Sequence, residues 1–230
     1  MTLPRPVQAV VFDMDGLLVD TETVFRDAMM AVSERHGRPL PLEVFLSMVG
    51  APREQNRQVV LDYFGQDFAY EAWIEEVSTL AHAQIAVGVT LKAGVVELLD
   101  HLEALAIPRA IATSSRHATV SLQLGPTGLI HRFQAIVASG DYARGKPNPD
   151  PFLVAAQRLG VDPAACLALE DSHNGVRAAH AAGMMTIMVP DLLAATEEMR
   201  ALCVAIAQTL HEVRDLLDHA AMAPAPIPAP

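Results

Sequence analysis

The stretch VVFDMDGLLVD, residues 10–20, opens as a buried strand and is then interrupted by Asp13 and Asp15. Side chains alternate along a strand, so residues two apart share a face, and these carboxylates are expected side by side. At neutral pH such a pair repels, and one member keeps its proton unless a cation intervenes. Something elsewhere in the chain has to make the pair tolerable.

Outward from this stretch, apolar runs of strand length recur: PRAIAT (108–113), QAIVAS (134–139), ACLALED (165–171), MTIMVP (185–190) and, more weakly, CVAIA (203–207). Helical patterns separate them at 94–105, 150–160 and 172–183, the last closed by Gly183 as a C-cap. Continuous apolar strands alternating with helices predict a parallel sheet covered on both faces. Residues 20–88 break that rhythm: they carry helix-like stretches at 21–36, 53–64 and 70–86 and no β-rich run. An unstructured loop of that length is improbable in a compact domain, so a helical cap is expected there. The expected division is a core of 1–19 and 89–220, a cap of 20–88, and a disordered Pro/Ala tail at 221–230.

Ligands of open parallel sheets bind beyond the carboxyl ends of the strands. The first strand delivers Asp13 and Asp15 there, the second Thr113 followed by Ser114 and Ser115, the third a loop with Lys146, the fourth Glu170 and Asp171. Several carboxylates at one rim call for a hard divalent cation, and Mg²⁺, held by one or two carboxylates and by phosphate oxygens, suits them. Lys146 and Thr113 add the charge and the hydroxyl a phosphate needs. A carboxylate facing a bound phosphate can attack phosphorus, and a neighbouring carboxylate can move the protons.

Composition narrows the field. The 230 residues are 51% hydrophobic and 19% charged, with a net charge of −11, so a packed core is expected. Basic runs are absent, which speaks against nucleic acid or an anionic membrane as partner. Cys166 and Cys203, the two cysteines, read as small buried hydrophobes in a reducing compartment. The N-terminus lacks a signal-peptide layout and no apolar run is long enough for a bilayer, so a soluble cytoplasmic protein is expected.

DMDGLLVDTE (13–22), the strand-terminal Thr113, GKPNPDPF (145–152) and EDSHNG (170–175) together resemble, in order and spacing, the four motifs of the haloacid dehalogenase-like superfamily. The likeness spans residues 7–220 and points to the phosphatases and phosphomutases whose helical cap follows the first motif. It implies a Rossmann-like α/β core with an inserted cap, and an Mg²⁺-dependent phosphatase working through an aspartyl phosphate. By resemblance, Asp13 is the nucleophile and, with Asp171 and the backbone carbonyl of Asp15, a ligand of Mg²⁺. Asp15 is the general acid and base. Thr113, Ser114 and Lys146 hold phosphoryl oxygens, and Glu170 fixes the lysine or a metal-bound water. The implied partner is a small phosphorylated metabolite, a sugar or nucleoside phosphate, taken by a monomer.

Each residue also has a structural role open to it. Asp15-Gly16 suits a turn, Asp171 or Ser172 suits a helix cap, and Lys146 suits a solvated loop. Their joint arrival at four strand ends favours catalysis. In the cap, MVGAPREQN (48–56) is the most site-like stretch: Gly50 and Pro52 shape a turn, and Arg53 either clamps a phosphate or sugar hydroxyl or lies on an exposed first helical turn. Phosphomutases of this group carry a histidine where this chain has Phe25, which favours hydrolysis over phosphoryl return; a non-catalytic phosphometabolite sensor is the remaining alternative. His117 is expected on a wet helix face, His173 beside the acid motif without ligating, and Met184, Met185 and Met188 in the core. No G-x-S-x-G elbow, Walker A loop, Rossmann glycine fingerprint or zinc spacing is present.

Overall fold

The computed structural model describes residues 3–49, 51 and 53–221. Gly50, Pro52 and residues 222–230, to which a turn and a disordered tail were assigned from sequence, lie outside the described residues. Six parallel strands form one sheet: β1 (Ala9–Phe12), β2 (Arg109–Arg116), β3 (Ala135–Ser139), β4 (Cys166–Glu170), β5 (Met185–Met188) and β6 (Ala205–Ile206). Their spatial order is β3-β2-β1-β4-β5-β6, so β1 lies between β2 and β4. The order reverses direction at β1, which makes its carboxyl end the natural crevice of the sheet.

Helices in chain order are α1 (Thr21–Arg35), α2 (Leu42–Met48), α3 (Arg53–Phe64), α4 (Tyr70–Val87), α5 (Val95–Ala104), α6 (His117–Leu124), α7 (Asp150–Leu159), α8 (His173–Ala181), α9 (Glu197–Leu202) and α10 (Leu210–Ala221). The two-residue alternation of β1 sorts its side chains between two layers. Val10 and Phe12 join Leu98, Leu102, Leu124 and Val213 under α5, α6 and α10. Ala9 and Val11 face Phe152, Ala155 and Ala179 of α7 and α8. Alanines at 110, 112 and 168 line that second face, and such small side chains let the helix backbones come close. Each fully buried leucine or phenylalanine contributes roughly 1.5–3 kcal/mol, so the sheet is held from both sides. This is the α/β fold with an inserted helical cap expected from the sequence.

The insertion, α1 to α4, has a core of its own, with Val32, Phe45, Val60, Trp73 and Val77 buried together. Trp73 Nε1 donates to Ser33 Oγ at 3.1 Å, so the buried indole joins α4 to α1. Asp20 caps α1 by accepting from the Thr23 amide at 3.3 Å. The two strands of chain joining cap to core run side by side: Val19 bridges Leu91, the Asp20 amide donates to Thr90 O, and the Lys92 amide donates to Leu18 O. Among the described residues, no helix is long and apolar enough to cross a membrane.

Two local expectations change. The assigned β1 strand ends at Phe12, with the Asp13 amide still donating to Leu169 O at 2.9 Å, so strand geometry carries Asp13 but does not by itself bring Asp15 beside it. A tight loop does it instead, with the Gly16 amide donating to Val19 O and Gly16 at φ +84°. Thr113 is not strand-terminal either: β2 continues past it to Arg116, with an irregular register against β3 after Ala112.

Candidate active site

Register sets the site. Phe12 pairs with Ile111 on one side and Leu169 on the other, so Asp13 and Glu170 leave the sheet level with each other and Thr113 one residue beyond. Asp13, Asp15, Thr113, Ser114, Lys146 and Asp171 all line one cavity of about 140 Å³. The strand-end residues singled out from sequence thus come together. Arg53 begins α3, but its side chain lies outside the described residues.

Lys146 is buried, not a solvated loop residue: its Nζ donates to Asp13 Oδ1 and to Glu170 Oε1, each at 2.5 Å, and stands 5.0 Å from the Phe152 ring centre. Burial works against its charge, yet Asp13 and Glu170 outweigh burial and hold the ammonium above its usual range. Glu170 is fully buried, and both its oxygens are engaged. Oε2 accepts from the amides of Asp171 and Ser172 and from Ser172 Oγ, at 3.0–3.1 Å. A Cβ on Gly175 would collide with this carboxylate, so the first turn of α8 closes on Glu170 only because residue 175 has none. Ser172 also caps α8, accepting from the Gly175 amide at 3.1 Å.

Asp15 points elsewhere. Its Oδ1 accepts from Thr21 Oγ1 (2.9 Å) and Gln123 Nε2 (3.0 Å), and its Oδ2 from Ser115 Oγ (2.8 Å). Three donors from three elements therefore fix this carboxylate at the mouth of the cap. Thr21 and Gln123 were missed in the sequence. The signal for Gln123 was a polar residue among the buried positions of the apolar helix α6, where it is only 2% exposed.

Asp13, Glu170 and Asp171 offer oxygens all within 4.8 Å of one another. Burial pushes the Asp13 carboxyl up to about 8, with Lys146 pulling it down and Glu170 and Asp15 adding to the rise. Burial, then Glu170 and Asp13, raise Asp171 well above the usual carboxylate range. Without a counter-charge these acids cannot all ionise. The donors are all oxygen and mostly anionic, and a Cβ on Gly16 would collide with Asp171 Oδ2, so space beside that ligand depends on glycine. Such a set fits a hard divalent cation.

Beside the cavity runs a cleft of about 500 Å³ between cap and core, lined by Phe25, Met29, Phe45 and Met48 and by the polar Glu22 and Asn56. Phe25 packs edge-on against His82, ring centres 6.1 Å apart. A larger hollow, about 700 Å³, opens among the cap helices, and no residue lining it lies at a strand end. The remaining candidates are structural. His117 is exposed and paired with Asp141 at 3.0 Å. His173 meets the carbonyl of Ala194 at 2.9 Å. Met184, Met185 and Met188 are buried, and burial pushes both Cys166 and Cys203 thiols up to about 11.

A parallel sheet that gathers a buried lysine and a carboxylate cluster under an inserted helical cap defines a capped α/β phosphohydrolase. The chain belongs to the haloacid dehalogenase-like hydrolases, whose family model matches residues 10–189, and it is a phosphatase acting on phosphomonoesters. A probable pseudouridine-5'-phosphatase of Drosophila melanogaster is 37% identical over 194 residues, covering 81% of this chain and 83% of its own. Fructose-1-phosphate phosphatase YqaB of Escherichia coli (strain K12) is 31% identical over 191 residues, covering 78% and 95%. The crystal structure of a HAD family hydrolase from Deinococcus radiodurans R1, with bound phosphate and sodium, superposes with a TM-score of 0.79 at 30% identity, covering 96% of this chain and 99% of that one.

Proposed function

We propose that the chain hydrolyses a small phosphomonoester, a sugar or nucleoside phosphate, through an aspartyl phosphate on Asp13 with Mg²⁺ as cofactor. The observation that carries this is the division of labour between two acids: Asp13 is gripped by Lys146 at the floor of the cavity, while Asp15 is turned to the cap side by Ser115, Gln123 and Thr21. An Asp13 oxygen attacks phosphorus, and the bond from phosphorus to the substrate oxygen breaks. Asp15 gives its proton to the departing alkoxide. Asp15 then takes a proton from water, the water oxygen attacks phosphorus, and the acyl-phosphate bond breaks to release phosphate and restore Asp13.

Lys146, Thr113 and Ser114 hold phosphoryl oxygens, with Glu170 positioning the lysine. Asp13, Asp171 and the backbone carbonyl of Asp15 would hold Mg²⁺. When bound, the ion draws charge from the phosphoryl group and lets the crowded acids remain ionised. Glu170 is assigned outside this set because Lys146, two amides and a hydroxyl already use its oxygens. The pairing of residues 18–20 with 90–92 supports cap–core boundaries near residues 20 and 88. Ala51 and Asn56, flanking Arg53 in sequence, line the cleft, which supports Arg53 as a cap contact to the leaving group. The pseudouridine and fructose-1-phosphate phosphatases among the relatives support nucleoside and sugar phosphates as the substrate class. Phe25, packed edge-on against His82, favours water as the final acceptor over a second sugar.

Hydrolysis of p-nitrophenyl phosphate should require Mg²⁺ and disappear in Asp13→Asn. Asp15→Asn should still take up phosphate from this activated ester but release it slowly. Undiminished turnover in EDTA would remove the metal from the scheme, and an active Asp13→Asn would remove the nucleophile. A screen of phosphorylated metabolites scored by kcat/KM then selects the substrate.

A further inference from the structure

The loop after β5 brings another acid to the site. Lys92 Nζ donates to Asp191 Oδ1 at 2.6 Å, in an ion pair whose side chains are 27% and 11% exposed. The other oxygen, Asp191 Oδ2, is buried and has no hydrogen-bond partner among the described residues. A Cβ on Gly16 would stand 3.4 Å from that oxygen while colliding with Asp171 Oδ2, so the two carboxylate oxygens border the same small space beside Gly16. Lys92 is itself anchored, its amide donating to Leu18 O at 3.0 Å in the loop that leaves Asp15.

A buried carboxylate oxygen that faces a second carboxylate is costly unless a donor stands between them. Lys92 cannot serve both oxygens from the side where it is fixed. We propose that Asp191 is a positioning residue for the divalent cation held by Asp13 and Asp171: its Oδ2 accepts a hydrogen bond from the cation's hydration water, and Lys92 holds the carboxylate in place. Mg²⁺ bound by one or two carboxylates keeps several waters, each needing an acceptor. Outer partners of this kind orient the ligands and tune affinity. Lys92 follows directly on the Val19–Leu91 bridge, so the same ion pair ties the returning connection of the cap to the cation site. The inference rests on the Mg²⁺ assignment of the preceding subsection.

The test is calorimetric titration of Mg²⁺ alone into the metal-free full-length protein, alongside unfolding temperatures with and without Mg²⁺. Wild type is expected to bind and Asp171→Asn to lose binding. Asp191→Ala should raise the Kd for Mg²⁺ roughly tenfold or more, and Asp191→Asn, which keeps an acceptor oxygen, at least about threefold. The metal-free unfolding temperature of Asp191→Asn should stay near that of wild type, which a purely structural role would not predict. Kd values within about twofold of wild type in the Asp191 variants would overturn the inference and leave the Mg²⁺ assignment standing. A wild type that binds no Mg²⁺ would overturn both. If Asp191→Ala does not fold, the isosteric Asp191→Asn decides alone.

Discussion

Asp15 shows how much of the proposed chemistry depends on a carboxylate being aimed. Gln123 donates to it from α6 while its own Oε1 is buried without a partner among the described residues. Gln123→Met should therefore lower kcat roughly tenfold by loosening Asp15, while costing little or no stability, since one orphaned polar atom goes with it. Steady-state kinetics and a urea melt on the same preparation check both halves. Glu22 makes a pH prediction. Burial, then Asp15, Asp191 and Asp20, push its carboxyl from 4.5 up to about 7. Below pH 4.5 folded and unfolded chains both hold the proton, and Glu22 contributes nothing. Between 4.5 and 7 the unfolded chain releases it first, so stability falls as pH rises through that window and the loss is complete above it. In EDTA, Glu22→Gln should match wild type at low pH and exceed it by about 2 kcal/mol at pH 8, with solvent screening allowed for. At this scale the acids and Thr113 were legible because they close apolar runs, and Lys146 because the loop after the third run carries it. Thr21, Gln123 and Asp191 were not, because their significance comes from partners such as Asp15 and Lys92 that lie 6, 108 and 99 residues away.

Single elements carry two functions each. The first turn of α8 both starts a helix and binds Glu170: Ser172 Oγ accepts from the Gly175 amide and donates to Glu170. Ser172→Ala should cost roughly 2–5 kcal/mol, the sum of a lost cap and a lost hydrogen bond to a buried charge. Chemical denaturation reads the loss, and a parallel drop in kcat is expected because Glu170 then holds Lys146 less firmly. Ser172 as a cap and Glu170 as a support were both available from the sequence EDSHNG, and the structure gives them to neighbouring residues. Strands β1, β4 and β5 were legible from apolar runs because they are buried on both faces, and the partly exposed β6 gave the weakest run. The helix α2 was missed: it has seven residues, and its Pro41 N-cap makes no side-chain bond. The end of β1 was misjudged for a different reason. Alternation describes a strand only while its ladder lasts, and here a loop takes over after Asp13.

On the scale of the whole molecule, the cap's hydrophobic interior and the two-layered interior of the core are joined by two short connections. The cap has its own buried cluster around Trp73, and the sheet has one on each face. Opening of the cap should therefore break contacts along the cleft and leave both interiors intact. Hydrogen–deuterium exchange is expected to show slow amides inside α1 and α4 and along β1, with faster exchange at 89–91 that slows with Mg²⁺ and phosphate present. Uniform exchange across cap and core would contradict this. The two-part plan was legible because the helix-like stretches 21–36, 53–64 and 70–86 interrupt a strand–helix rhythm. The shape of the cleft was not, since Phe25, Phe45 and Asn56 converge on it from three different helices.

The pairing of Val19 with Leu91 has a further consequence. Because the polypeptide departs and re-enters the sheet at neighbouring points, everything between is topologically a cassette: its length and content can vary without disturbing strand order. Most of the site thus lies outside the inserted stretch, and a new lid grafted at this doorway would have to supply only the hydroxyl by which Thr21 helps to hold Asp15.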